Sequence, residues 1–186
     1  FQHFPVRPII HGVPQFQYKT DEVLYSGEGW KWLNVSYERY HNSGEATVVM
    51  GNIGYPIDQS ALDVNYDEDY HNILTENLVL TMNIGDVEIS ASREKLQYTD
   101  FTRTNIKDAL KRVQSEIAEQ ISEQFGGCKT LFDAKCLYGS TFRTDSPLYA
   151  LKDSVKKHLV WNGKTVDGDM IGCYNTHGVE LMNYKK

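Results

Sequence analysis

The strongest pattern in the chain lies between residues 102 and 125. There Ile106, Ala109, Leu110, Val113, Ile117, Ile121 and Phe125 recur three or four residues apart, which is one face of a 3.6-residue period. Lys107, Asp108, Lys111, Arg112, Glu116 and Glu119 fall opposite them. The spacing predicts an amphipathic helix over 102–125, capped by Thr99 or Asp100 and stopped by Gly126-Gly127. Upstream the pattern changes to short runs rich in β-branched and aromatic residues. These predict strands at 15–18, 22–25, 30–35, 46–50, 77–82 and 86–89, with an extended run restarting at Tyr55-Pro56-Ile57. Gly51-Asn52-Ile53-Gly54 reads as a turn, 59–63 as a short helical turn and 63–69 as a charged loop. Downstream, helical patterns cover 130–138 and 148–158, and Asn162-Gly163 sits between two short apolar runs as a hairpin signal. Strands first and helices afterwards predict an α+β fold: a mixed β-sheet with helices packed on it, plus a small C-terminal helical and hairpin element.

Composition narrows the functional class. The 186 residues suit one domain of about 100–200 residues with a small appendage. The net charge of −6 disfavours nucleic acid as a partner, because such binders carry a basic excess. Cys128, Cys136 and Cys173 are odd in number and lack metal-type spacing, which predicts a reduced, cytoplasmic compartment. The triplet Asn34-Val35-Ser36 would matter only on a secretory route. No window reaches the roughly 20 apolar residues of a membrane span. A start at Phe1, with a proline-rich opening segment, leads us to expect a piece of a longer protein. Twelve tyrosines, concentrated in the first half, suit half-buried strands.

Chemistry concentrates in Gly85–Gln97. An alternating strand at 86–89 is expected to run into a Ser92-Arg93-Glu94 turn and then into the long helix, a junction that presents free backbone N–H groups. Arg93 there would meet phosphate with a rigid fork of donors. The competing reading is a surface ion pair with Glu94 or Glu88. Gln97, one helical turn on, would share the face of Arg93 and orient a water or a phosphate oxygen, whereas Lys95 would point elsewhere. The acidic run 63–69 resembles the start of a calcium loop. Glu68 occupies the glycine position and Leu74 that of the bidentate glutamate, so a solvated loop is favoured. The six histidines are scattered and predict no metal site. No Walker-type loop and no Ser/His/Asp context occurs, so the chain does not read as an enzyme by itself. The segment reads as half of an active site.

Residues Ile89-Ser90-Ala91-Ser92-Arg93-Glu94-Lys95-Leu96-Gln97 resemble a Ser-Arg-Glu segment in the middle domain of the ninety-kilodalton heat-shock chaperone, a GHKL ATPase. In that chaperone the matching arginine reaches the terminal phosphate of ATP held by the preceding domain, and the matching glutamine lies nearby. Three ordered blocks, 48–58, 82–94 and the helix 102–125, are similar to the second domain of rIIA-like lysis-inhibition proteins of T-even-like phages. Ala91 is an apparent insertion before the Ser-Arg-Glu core, and the resemblance ends near Gly139.

The resemblance implies a tail of an upstream ATPase domain at 1–12, a transducer-like domain at 13–127 with a left-handed βαβ unit, and a C-terminal helical extension with a hairpin at 128–186. It implies Arg93 and Gln97 as catalytic and Ser92 and Arg93 as phosphate-binding. ATP and Mg would reside in the upstream domain, with no cofactor and no metal in this segment. It further implies that domain, a second copy and the periphery of the host inner membrane as partners, in the cytoplasm of an infected bacterium. The alternative is a non-catalytic protein-interaction module, built on a tyrosine-rich sheet, in which Arg93 is structural.

Overall fold

The structure, a computed structural model, describes residues 22–34, 45–63, 71–144 and 146–166, together with residues 3, 4, 6, 9, 11 and 12. The chain forms two compact units, Phe1–Val113 and Gln114–Lys186. The fold is mixed α+β.

The first unit holds a five-stranded sheet made of β1 (Glu22–Gly27), β2 (Trp30–Asn34), β3 (Thr47–Met50), β4 (Ile53–Pro56) and β5 (Leu78–Met82). Their order is β1-β2-β5-β3-β4. Neighbours are antiparallel except β3 and β5, which run parallel. The described part of the connection between those two consists of β4, a short helix α1 (Gln59–Leu62) and a 3₁₀ turn at His71–Thr75. The turn expected at Gly51-Asn52-Ile53-Gly54 is shorter than its sequence suggested. Met50 pairs with Ile53, so Gly51 (φ +66°) and Asn52 alone make the turn and Gly54 lies inside β4.

Alternation along the strands separates two faces. Trp30, Leu80, Val48 and Tyr55 stand side by side in register, with Trp32 beside Leu78, and all six are buried. The same unit buries Ile106, Leu110 and Val113 on the first half of α2 (Asp100–Gly126) and adds Leu62, Ile73 and Leu74 to the core. Removing one such aliphatic side chain from water contributes about 1.5–3 kcal/mol. Thr99 caps α2, its hydroxyl accepting from the Thr102 N–H at 3.4 Å.

The strand expected at 86–89 does not join the sheet, and its backbone groups show why. The Asp86 N–H is used by the Asn83 carbonyl, and the Glu88 N–H by the Thr102 hydroxyl at 3.0 Å. Ile89 bridges Leu96 in an isolated antiparallel contact. β5 already has β2 on one side and β3 on the other, so it offers no edge there. The expected strand–turn–helix junction at Arg93 is likewise absent, because α2 begins at Asp100.

The second unit buries Ile117, Ala118, Ile121 and Phe125 from the rest of α2. It continues with α3 (Leu131–Thr141), opened by a reciprocal capping box between Thr130 and Asp133. The pattern at 148–158 is divided among a 3₁₀ turn at Pro147–Leu151, α4 (Lys152–Val155) and a second 3₁₀ turn at Lys156–His158. The hairpin forms as expected from β6 (Val160–Trp161) and β7 (Lys164–Thr165), with Asn162 at φ +48° and Gly163 at +75°. The Trp161 indole N–H donates to the Cys128 carbonyl at 2.8 Å. The strand expected at 15–18, Cys173 and most of the acidic run 63–69 lie outside the described residues.

Glu76, on the link into β5, is more than half buried, and that burial pushes its carboxyl above the ordinary value. The folded chain therefore favours the protonated form. The penalty is absent below the ordinary carboxylate value of about 4.3 and appears as pH rises through the raised folded value. Glu76→Gln should raise stability at pH 7, with the gain shrinking to nothing near pH 4. Urea denaturation at the two pH values checks this.

Candidate functional site

Residues 88–97 form a closed loop based on two buried apolar side chains, Val87 and Leu96. Its limbs are joined by Gln97 N–H to the Glu88 carbonyl at 2.9 Å and Ser90 N–H to the Lys95 carbonyl at 2.8 Å. Ser90 is the hub. Its carbonyl accepts from the Arg93 N–H at 2.8 Å, and its hydroxyl accepts from the Lys95 N–H at 3.4 Å and pairs with that of Ser92 at 3.0 Å. Short hydroxyl side chains bond local backbone in this way and so stabilise turns.

Arg93 sits at the tip with φ +60°, in the left-handed region. A non-glycine residue held there costs on the order of 1 kcal/mol or more, and it persists only where surrounding bonds over-determine it. The side chain is exposed. Among the described residues its guanidinium makes no ion pair with Glu88 or Glu94 and no hydrogen bond.

The other expected residues fall as follows. Ser92 is exposed beside Arg93 and braces Ser90. Gln97 is exposed at the base of the loop, beyond the Ile89–Leu96 bridge. The helical face that Gln97 was expected to share with Arg93 does not exist, because neither residue is in a helix. The loop thus brings Ser92 and Arg93 together and sets Gln97 apart.

Three residues that sequence reasoning overlooked hold this loop in place. Thr102, fully buried in the first turn of α2, accepts from Glu88 as described above. Tyr98 accepts from the Asp58 N–H at 2.6 Å, and burial, as the largest influence, raises its phenol above the ordinary value. Asp58 caps α1 by accepting from the Ser60 and Ala61 N–H groups at 3.0 and 3.2 Å. Hydrogen bonds from the Ser60 hydroxyl and the Ala61 N–H hold its carboxyl below the ordinary range. Asp58, two residues before Ser60, carried a readable capping signal. Tyr98 and Thr102 carried none, since their partners are 40 and 14 residues away.

A cleft of about 670 Å³ opens beside the loop, lined among others by Glu45, Ile57, Asp58, Glu94, Lys95 and Tyr98. Three carboxylates against one ammonium make it a poor seat for an anion. Arg93 is not part of its wall. An approaching phosphate would meet the guanidinium at the loop tip, outside the cleft. Among the described residues no three His, Cys, Asp or Glu side chains gather to hold a metal. Cys128 carries a free thiol, and no described helix is long and apolar enough to cross a membrane.

No protein-family model, curated protein or solved structure matches the chain.

The backbone at Arg93 makes a test of what the side chain does for the fold. Arg93→Gly should hold or raise stability by up to about 1 kcal/mol, because glycine adopts a positive φ freely. Arg93→Val should lower it by about 1 kcal/mol or more, since a β-branched residue tolerates that region worst. Urea midpoints of the two variants check the difference. A loss in the glycine variant would mean that the guanidinium itself supports the fold.

Proposed function

We propose that the chain is the transducer domain of an rIIA-like GHKL ATPase, supplying Arg93 to the terminal phosphate of ATP held by a neighbouring nucleotide domain. The observation that carries this reading is the display of Arg93: exposed, unpaired among the described residues, and at φ +60° at the tip of a loop closed by its own hydrogen bonds. A guanidinium set out in this way, with no anion seat beside it among the described residues, suits a phosphate presented from outside.

In this reading Arg93 stabilises the charge that develops on the transferred phosphoryl group, which is electrostatic catalysis by a preoriented cation. Ser92 fixes the tip beside it through the Ser90 hydroxyl. Gln97, at the loop base, acts through an intervening water or phosphate oxygen. ATP and Mg would be held by the nucleotide domain, and the metal would supply neutralisation of phosphate charge there. Docking at Arg93 would load the loop, which is bonded to α2 through Thr102 and followed at once by Tyr98, bonded to the α1 corner. Nucleotide state could thus be relayed into this domain as a coupling between two states. The output in the resembled family, lysis inhibition at the periphery of the host membrane, is part of the same proposal.

A second reading, a non-catalytic interaction module, is favoured by the acidic cleft beside the loop, which suits a basic protein partner. Turnover separates the two. In the longer protein with its nucleotide domain, Arg93→Ala should lower kcat for ATP by about 10³-fold or more, the scale of an arginine supplied to a phosphoryl group. Its ATP Kd should stay within a few-fold. Unchanged kcat would sink the catalytic reading.

A further inference from the structure

Gly54 stands in the interior of β4, opposite Val49 of β3, and its backbone does not lie in the positive-φ region. Conformation therefore does not demand glycine here, and a strand glycine weakens the strand unless something must come close. Something does. A Cβ at position 54 would lie 2.8 Å from Nε2 and 3.1 Å from Cδ2 of His3, and 3.1 Å from Cγ2 of Thr47. The imidazole lies against the bare α-carbon, in a notch where a Cβ would have to push it aside.

The notch is on the sheet face away from Trp30 and Val48. That face carries Lys31, Val79, Thr47 and Pro56 in one register row and Thr81, Val49 and Gly54 in the next. We propose that His3 and Gly54 form a pH-released clasp. The neutral imidazole seats His3 on the edge of the sheet, and the imidazolium lets it go. This device does not depend on any role of Arg93.

The surroundings of the ring set the sign. Burial lowers its proton affinity most, followed by the Lys31 ammonium on β2. Gly54 of β4 and Thr47 of β3, which border the notch, carry no charge. Seated His3 therefore binds a proton less readily than free His3. The clasp is at full strength above the ordinary histidine value of about 6.5, and weakens as pH falls through that value and the lowered seated one.

NMR of the 186-residue chain tests this. At pH 7.5 the wild-type chain should give cross-relaxation between the His3 ring protons and the Gly54 α-protons, and at pH 5 this should vanish while α2 amides stay protected. The His3 titration midpoint should lie below the ordinary histidine value of about 6.5. In Gly54→Ala the added Cβ pushes the ring aside, so the cross-peak should weaken at pH 7.5 and the His3 midpoint should rise towards that value. His3→Phe should keep its ring on Gly54 at pH 5. A wild-type cross-peak that survives pH 5, or a His3 midpoint at or above about 6.5, overturns the proposal, as does a midpoint unmoved by Gly54→Ala. Should Gly54→Ala lose α2 protection, the wild-type and His3→Phe arms decide the question by themselves.

Discussion

The structure depends on the burial of one apolar stripe, the face of α2 that carries Ile106, Leu110, Val113, Ile117, Ile121 and Phe125. All six are fully buried. A helix of 27 residues is about 40 Å long. Its first half completes the core of the sheet-bearing unit, and its second half completes the core of the other. The polar residues of its first two turns then fasten the surrounding loops. Thr102 holds Glu88, Asn105 donates to the Asp86 carbonyl at 2.7 Å, Arg103 to that of Ala61 at 2.9 Å and Lys107 to that of Asp63 at 2.8 Å. Apolar burial fixes where the helix lies, and these bonds make it a frame for irregular backbone. Without the frame, the Glu88 N–H and the Asp86 carbonyl would lose these partners.

That arrangement explains how an arginine can be held in an unfavourable backbone state at an exposed tip. The strain at Arg93 is local, while the bonds that hold it are spread over Ser90, Lys95, Glu88 and Gln97. Their far anchor is buried Thr102. The same loop presents charge on two sides. Its tip presents Arg93, while its flank presents Glu94 and Lys95 to a cleft also lined by Glu45 and Asp58. The two surfaces suit different visitors, an anion at the tip and a basic group in the cleft.

The parts legible in the sequence are those whose partners are close along the chain or repeat with a period. The 3.6-residue spacing gave α2 to within two residues at each end, and Asn162-Gly163 gave its hairpin because the turn encodes its own geometry. The misreadings share a cause. Val87 and Ile89 alternate with polar neighbours as a strand would, but the Glu88 N–H is claimed by a threonine 14 residues on. Gly54 looked like the end of a turn, because a glycine that accommodates a neighbour's ring looks the same in sequence as one that turns the chain. The backbone strain at Arg93 was not legible, since it comes from bonds closing across a loop.

Burial decides what Arg93 can contribute. Two unit charges 4 Å apart attract by only about 1 kcal/mol in bulk water, against about 4 kcal/mol at the effective dielectric near a protein surface. As it stands on this chain, an exposed guanidinium falls near the weaker limit, and salt would screen it further. The loop fixes the backbone position of Arg93 but gives its guanidinium no partner. A strong contribution would need a surface that covers the tip and excludes water. The proposal that this chain is half of a site therefore rests on an exposed cation at a strained backbone position, with no anion seat around it on the described surface.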